Sequence, residues 1–214
     1  FDALTRVYWP AVRTYVAFAW RLEEADAEDL TQELFARAFT GGFFDRYDPA
    51  KARFRTFMRM CVDRLAAKRR RDAGRLKRGG EAVTVPLELE LTDGPVERPI
   101  AGGDDPEAVF RAEWVRSLME TAVARLEAEY DAAGHAVRFA VFRRYDLEGP
   151  DRPDRPSYAE LAQELSLTTS QVTNYLHGAR RDFRRSVLDT LRAMSGSEAE
   201  YRAEARELLG IDPP

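Results

Sequence analysis

The chain has 214 residues, a formal net charge of −4, a hydrophobic fraction of 44% and one cysteine, Cys61. A single thiol excludes an intramolecular disulfide. No apolar run approaches the roughly 18 residues of a membrane span, and the scarcity of Val-Ile-Thr alternation argues against sheets.

The first half reads as three helices. Leu4, Val7, Tyr8, Ala11, Val12, Tyr15, Val16 and Ala19 recur at three- and four-residue steps and build one apolar face, with Pro10 marking a kink or the first turn of a second piece. The next helix opens near Asp26, lined on one side by Leu30, Leu34 and Ala38, and ends at Gly41-Gly42. A third is expected to open at Asp48-Pro49, a cap followed by proline. It has Phe54, Phe57, Met58, Cys61 and Leu65 on its apolar face and runs to Gly79-Gly80. Residues 81–105, with prolines 86, 95 and 99 and no sustained period, read as a flexible acidic linker.

The second half restarts at Asp105-Pro106. Phe110, Trp114, Leu118, Ala122 and Leu126 form the stripe of a long helix that Gly134 breaks, and a further helix covers about 135–145. After the Pro-rich loop from Gly149 to Pro156, Ser157 and Glu160 form a capping box. Leu161, Ala162 and Leu165 point to a core, Ser166-Leu167-Thr168 to a turn, and Thr169 or Ser170 to the cap of a second helix. Val172, Leu176 and Ala179 would face inward there. This is the spacing of a helix-turn-helix over 157–185, with serine at the turn position that favours glycine. Its second helix would expose Gln171, Thr173, Asn174, His177, Arg180 and Arg181, donors and acceptors suited to base edges and phosphates in a major groove. A last amphipathic helix covers Ser197 to Leu209.

The acidic total speaks against nucleic acid, but the charge is divided into blocks. From Arg64 to Arg78 eight basic residues stand against Asp72 alone, a net +7, whereas 81–107 carries eight acids against Arg98, a net −7. Surface fields act over about 8–10 Å, so the blocks matter more than the sum. A helix with Arg55, Arg59 and Arg70 on one face and aromatics on its apolar edge suits melting DNA, the cations taking backbone and the aromatics exposed bases. Asp29, Gln32 and Glu33 lie within about one helical turn and suggest a protein-docking face. Two histidines, His135 and His177, and one cysteine leave nucleophilic catalysis and zinc ligation without a motif.

Taken in order, Asp26-Ala-Glu-Asp-Leu-Thr-Gln-Glu-Leu-Phe35, Phe54-Arg-Thr-Phe-Met-Arg59 with the arginine run through Arg71, and Tyr158 to Arg185 resemble regions 2.2, 2.3–2.4 and 4 of the extracytoplasmic-function group of bacterial RNA polymerase sigma factors. The resemblance implies an all-α fold. Residues 1–80 would be region 2, 81–105 a linker, 106–194 region 4 and 195–214 a helical tail. It also implies core RNA polymerase and promoter DNA as partners, with an anti-sigma factor as a possible third. Membrane insertion, a small-molecule substrate, a cofactor and enzymatic activity are not expected, and the location would be cytoplasmic. Asp29, Gln32 and Glu33 would meet the polymerase clamp helices. Phe57, Arg59, Asp63, Arg64 and Lys68, with Arg69, Arg70 and Arg71, would lie near the melting promoter element, and Thr173, Asn174, His177 and Arg180 in the distal major groove. The chain departs from the family pattern at Phe57-Met58, where Trp-Leu is usual, at Arg64 for Asn and near Lys68 for Asp. The alternatives are a polymerase-independent helix-turn-helix regulator, a metal-dependent nucleic-acid enzyme using the carboxylates at 26–33, and a protein-docking adaptor.

Overall fold

The computed structural model describes residues 2–40, 46–77, 105–149 and 155–213. Among these residues there is no strand. The helices are α1 (Asp2–Trp20), α2 (Glu24–Thr40), α3 (Phe54–Lys77), α4 (Pro106–Ala132), α5 (Ala136–Phe142), a π-helical turn (Arg143–Leu147), α6 (Tyr158–Glu164), α7 (Thr169–Met194) and α8 (Glu198–Leu209). The all-α expectation holds. The expected stops at Gly41-Gly42 and Gly79-Gly80, the linker up to residue 104 and most of the Pro-rich loop lie outside the described residues. The chain forms two compact units, 1–117 with 192–214, and 118–191. They divide within α4 and α7, which is a different partition from the expected segments 1–80, 81–105, 106–194 and 195–214.

In the first unit the apolar face of α1 is buried from Val7 to Trp20, and Pro10 lies inside α1 with no new helix starting there. Leu30, Leu34 and Phe35 of α2 and Met58, Cys61, Val62 and Leu65 of α3 complete the core, each large apolar side chain contributing about 1.5–3 kcal/mol on burial. Tyr8 meets Phe54 edge-on at 5.4 Å and Tyr15 meets Phe110 at 5.6 Å. The expected helix start at Asp48-Pro49 is corrected. The Asp48 backbone carbonyl and Oδ1 hold a turn over Ala50 and Lys51 instead, and α3 opens at Phe54. The second Asp-Pro pair behaves as expected: Asp105 Oδ1 accepts from Glu107 N at 3.0 Å and α4 begins at Pro106.

In the second unit Leu126 and Tyr130 of α4 pack with Phe139, Phe142 and Ala179, while Val141, Leu161, Ala162, Val172 and Leu176 form an adjoining cluster. Gly134, at φ 71°, ends α4 in the left-handed region. The capping box of Ser157 and Glu160 forms in both directions. The cap of α7 is Thr168, one residue before the expected Thr169: its hydroxyl accepts from Gln171 N at 3.2 Å, and Gln171 Oε1 accepts from Thr168 N at 2.8 Å.

Leu167 N donates to Ala162 O and Ser166 N to Gln163 O, a Schellman closure of α6. Ser166 sits in it at φ 55°. Ser166→Gly is therefore expected to stabilise the protein by about 0.5–1 kcal/mol, the relief of a left-handed L-residue less glycine's extra chain entropy. A thermal melt checks this, and a lowered midpoint would mean that Ser166 carries a compensating contact.

Candidate nucleic-acid interface

The first unit places the acidic face of α2 beside the basic stretch of α3. Asp29 and Gln32 are exposed, while Glu33 is half-buried. Glu33 accepts from Arg37 at 2.5 Å and from Arg69 Nε at 2.6 Å, and Arg69 Nη2 also donates to the Asp29 carbonyl at 3.2 Å. The expected docking residues and one expected DNA-facing arginine thus form a single patch. Below it lies a groove of about 490 Å³ with Trp20, Leu30 and Ala66 in its lining and Asp26, Arg69 and Arg70 among its polar walls.

Along α3 only Arg70 of the expected DNA-facing residues is exposed. Arg59, Arg64, Lys68, Arg69 and Arg71 are half-buried. Phe57 and Asp63 point inward. Phe57 packs on Tyr47 at 5.3 Å. Asp63 is 1% exposed, and its Oδ1 accepts from Tyr15 Oη at 2.8 Å and Trp20 Nε1 at 3.0 Å, with Arg59 Nη1 3.6 Å from Oδ2. Burial pushes the Asp63 carboxyl up, against the pull of these donors. Burial likewise pushes the Cys61 thiol up to about 12, leaving it protonated and unreactive at neutral pH.

In the second unit Gln171, Thr173, Asn174, His177, Arg180 and Arg181 all stand on the exposed side of α7, while Val172, Leu176 and Ala179 are buried. Their polar groups are not equally available. Gln171 uses its carbonyl in the cap, and the Thr173 hydroxyl donates back to Thr169 O. Arg180 makes a two-point contact with Asp146 at 2.8 and 2.9 Å, which holds its guanidinium well above its ordinary pKa. The side chains of Asn174 and His177 make no hydrogen bond among the described residues. Asp146 comes from the π-helical turn, a position that periodicity does not single out.

Sequence reasoning also passed over Arg53, Glu200 and Glu204. Arg53 and the half-buried Arg55 meet carboxylates of α8 at the start of α3. The signal was present in the 200, 204, 207 spacing of acids, which puts three carboxylates on one helical face.

Among the described residues no group of three or more His, Cys, Asp or Glu side chains is placed to hold a metal, and no helix is long and apolar enough to cross a membrane.

Residues 8–76 match the family described as sigma-70 region 2. The matched span runs from Tyr8 in α1 through α2 to the end of α3, and so takes in both the acidic patch and the basic face. No curated protein and no solved structure matches the chain.

Proposed function

We propose that the chain is a sigma factor of the extracytoplasmic-function type, binding core RNA polymerase and directing promoter recognition and DNA melting. The observation that carries this reading is the sigma-70 region 2 match over 8–76, which supports a sigma-factor role in transcription initiation and hence a non-enzymatic one. In this reading Asp29, Gln32 and Glu33 meet polymerase. Arg59, Arg64, Lys68, Arg69, Arg70 and Arg71 line the path of the melting promoter element, while Asp63 and Phe57 support that face from inside. Gln171, Thr173, Asn174, His177, Arg180 and Arg181 sit in the major groove of the distal element. The two contacts are individually modest, and polymerase supplies the effective concentration that makes them act together. The protein then works in the cytoplasm, where polymerase is.

The test is reconstituted transcription with core polymerase. The chain is expected to drive initiation from promoters selected with it, and Asp29→Lys, which reverses an exposed charge, to weaken polymerase association by on the order of tenfold or more. Tight operator binding without polymerase, with no effect of core enzyme, would instead identify a self-sufficient helix-turn-helix regulator. Undiminished co-purification of Asp29→Lys with polymerase would reject the docking role of α2.

A further inference from the structure

Three acids of α8 converge on the start of α3. Glu200 Oε1 accepts from Phe54 N at 2.5 Å, and its Oε2 accepts from the Tyr47 hydroxyl and from Gly196 N, both at 2.8 Å. Glu204 Oε1 lies 2.8 Å from Arg55 Nε and 3.2 Å from Arg53 Nη1. Glu207 lies 2.5 Å from Arg53 Nη1, 3.3 Å from Arg55 Nη2 and 2.5 Å from Arg111 Nη2. Glu200 and Glu204 are buried, and Glu204 Oε2 has no hydrogen-bond partner. On α8 only Tyr201 and Ala205 are buried apolar residues. Ala203, Leu208 and Leu209 are half-buried, so α8 is held by a small apolar stripe together with these ion pairs, and buried ion pairs stabilise little beyond the cost of their own desolvation.

A helix N-terminal amide and arginine forks arranged around carboxylates are also the groups that receive phosphodiester oxygens. Arg53, Phe54 and Arg55 belong to the span that matches sigma-70 region 2, whereas α8 lies outside it. We infer that α8 is an intramolecular stand-in for nucleic-acid backbone: it covers the arginine face at the start of α3 and has to leave before that face takes phosphate. This rests on the DNA-binding reading above and adds to it a competitor carried by the chain itself. The binding site it assigns is Arg53, Arg55 and the Phe54 amide, with Arg111 beside them, and its ligand is a phosphodiester backbone irrespective of base sequence.

Two full-length variants loosen α8 by different means. Glu204→Gln with Glu207→Gln removes two of the three charges, the two that meet Arg53 and Arg55. Gly196→Ala would place a Cβ 2.1 Å from Tyr47 Cε1, so the helix has to shift. The probe is a fluorescent mixed-sequence DNA duplex, titrated without polymerase at several salt concentrations. Both variants are expected to bind about tenfold more tightly than the parent at low salt, with a salt slope steeper by about two phosphate contacts. Adding Arg53→Ala and Arg55→Ala should cancel the gain, and amide exchange over 198–209 should quicken. A role for α8 as mere support predicts the opposite, weaker binding on loosening. Cooperatively folding Gln variants that bind no better than the parent, or a gain that survives loss of both arginines, would overturn the inference. Promoter-directed transcription by the parent decides the sigma-factor reading separately. If transcription holds while the affinities stay equal, only the competitor role of α8 has failed.

Discussion

Asp63→Ala is expected to destabilise the protein by about 2–5 kcal/mol, since each of two buried donors left without a partner costs about 1–3 kcal/mol. Its Oδ1 is the acceptor for both the Tyr15 hydroxyl and the Trp20 indole N–H, from the two ends of the second half of α1. Alanine would leave both donors buried without a partner, and Arg59 without one of its two carboxylates. Asp63→Asn keeps an oxygen for both donors and should cost only about 1 kcal/mol. Denaturant titration of the two variants separates them, and an alanine variant that unfolds with the parent would show that the network is dispensable. The acid dependence has a definite sign. The carboxyl is raised by burial, so the folded state binds its proton more readily than the unfolded state. The stability linked to this group is full below the unfolded pKa and is lost as pH rises through the folded one. Acid unfolding of this protein therefore does not begin at Asp63.

The second large effect is functional. Asn174→Ala together with His177→Ala should lower promoter-specific transcription by on the order of 10–100-fold, since a good base contact is worth about 1–3 kcal/mol of discrimination. Both side chains are exposed on α7, and alanine favours helix, so the melting temperature should not fall. Affinity for non-promoter duplex, set mainly by phosphate contacts, should change much less. Arg180→Ala is a less clean probe, because it also releases Asp146. Run-off transcription from a selected promoter, set beside a control duplex, reads the difference. Undiminished specific transcription would remove α7 from promoter recognition.

Where a residue's environment is local, the sequence is enough to describe it. The stripe from Phe110 to Leu126, the inward Val172, Leu176 and Ala179, the Ser157–Glu160 box and the strained Ser166 all follow from helical period and chain geometry, and all are found. The polar face of α7 follows from the same period. What the sequence does not contain is the second neighbour of each helix. Asp63 belongs to no apolar stripe, yet α3 is covered on more than one side, with Met58, Cys61, Val62, Leu65, Ala66 and Ala67 buried as well. The pairings of Glu33 with Arg69 and of Arg180 with Asp146 likewise join segments 36 and 34 residues apart.

The two Asp-Pro pairs show the division most plainly. At Asp105-Pro106 the cap is an aspartate two residues from the amide it receives, so local chemistry alone determined the helix start. At Asp48-Pro49 the same dipeptide makes only a turn, and α3 waits for Phe54, whose amide is received by Glu200, 146 residues away in sequence. A helix end needs an acceptor for its first amides. Which acceptor is nearest is a property of the chain where the cap is local, and of the folded structure where it is not.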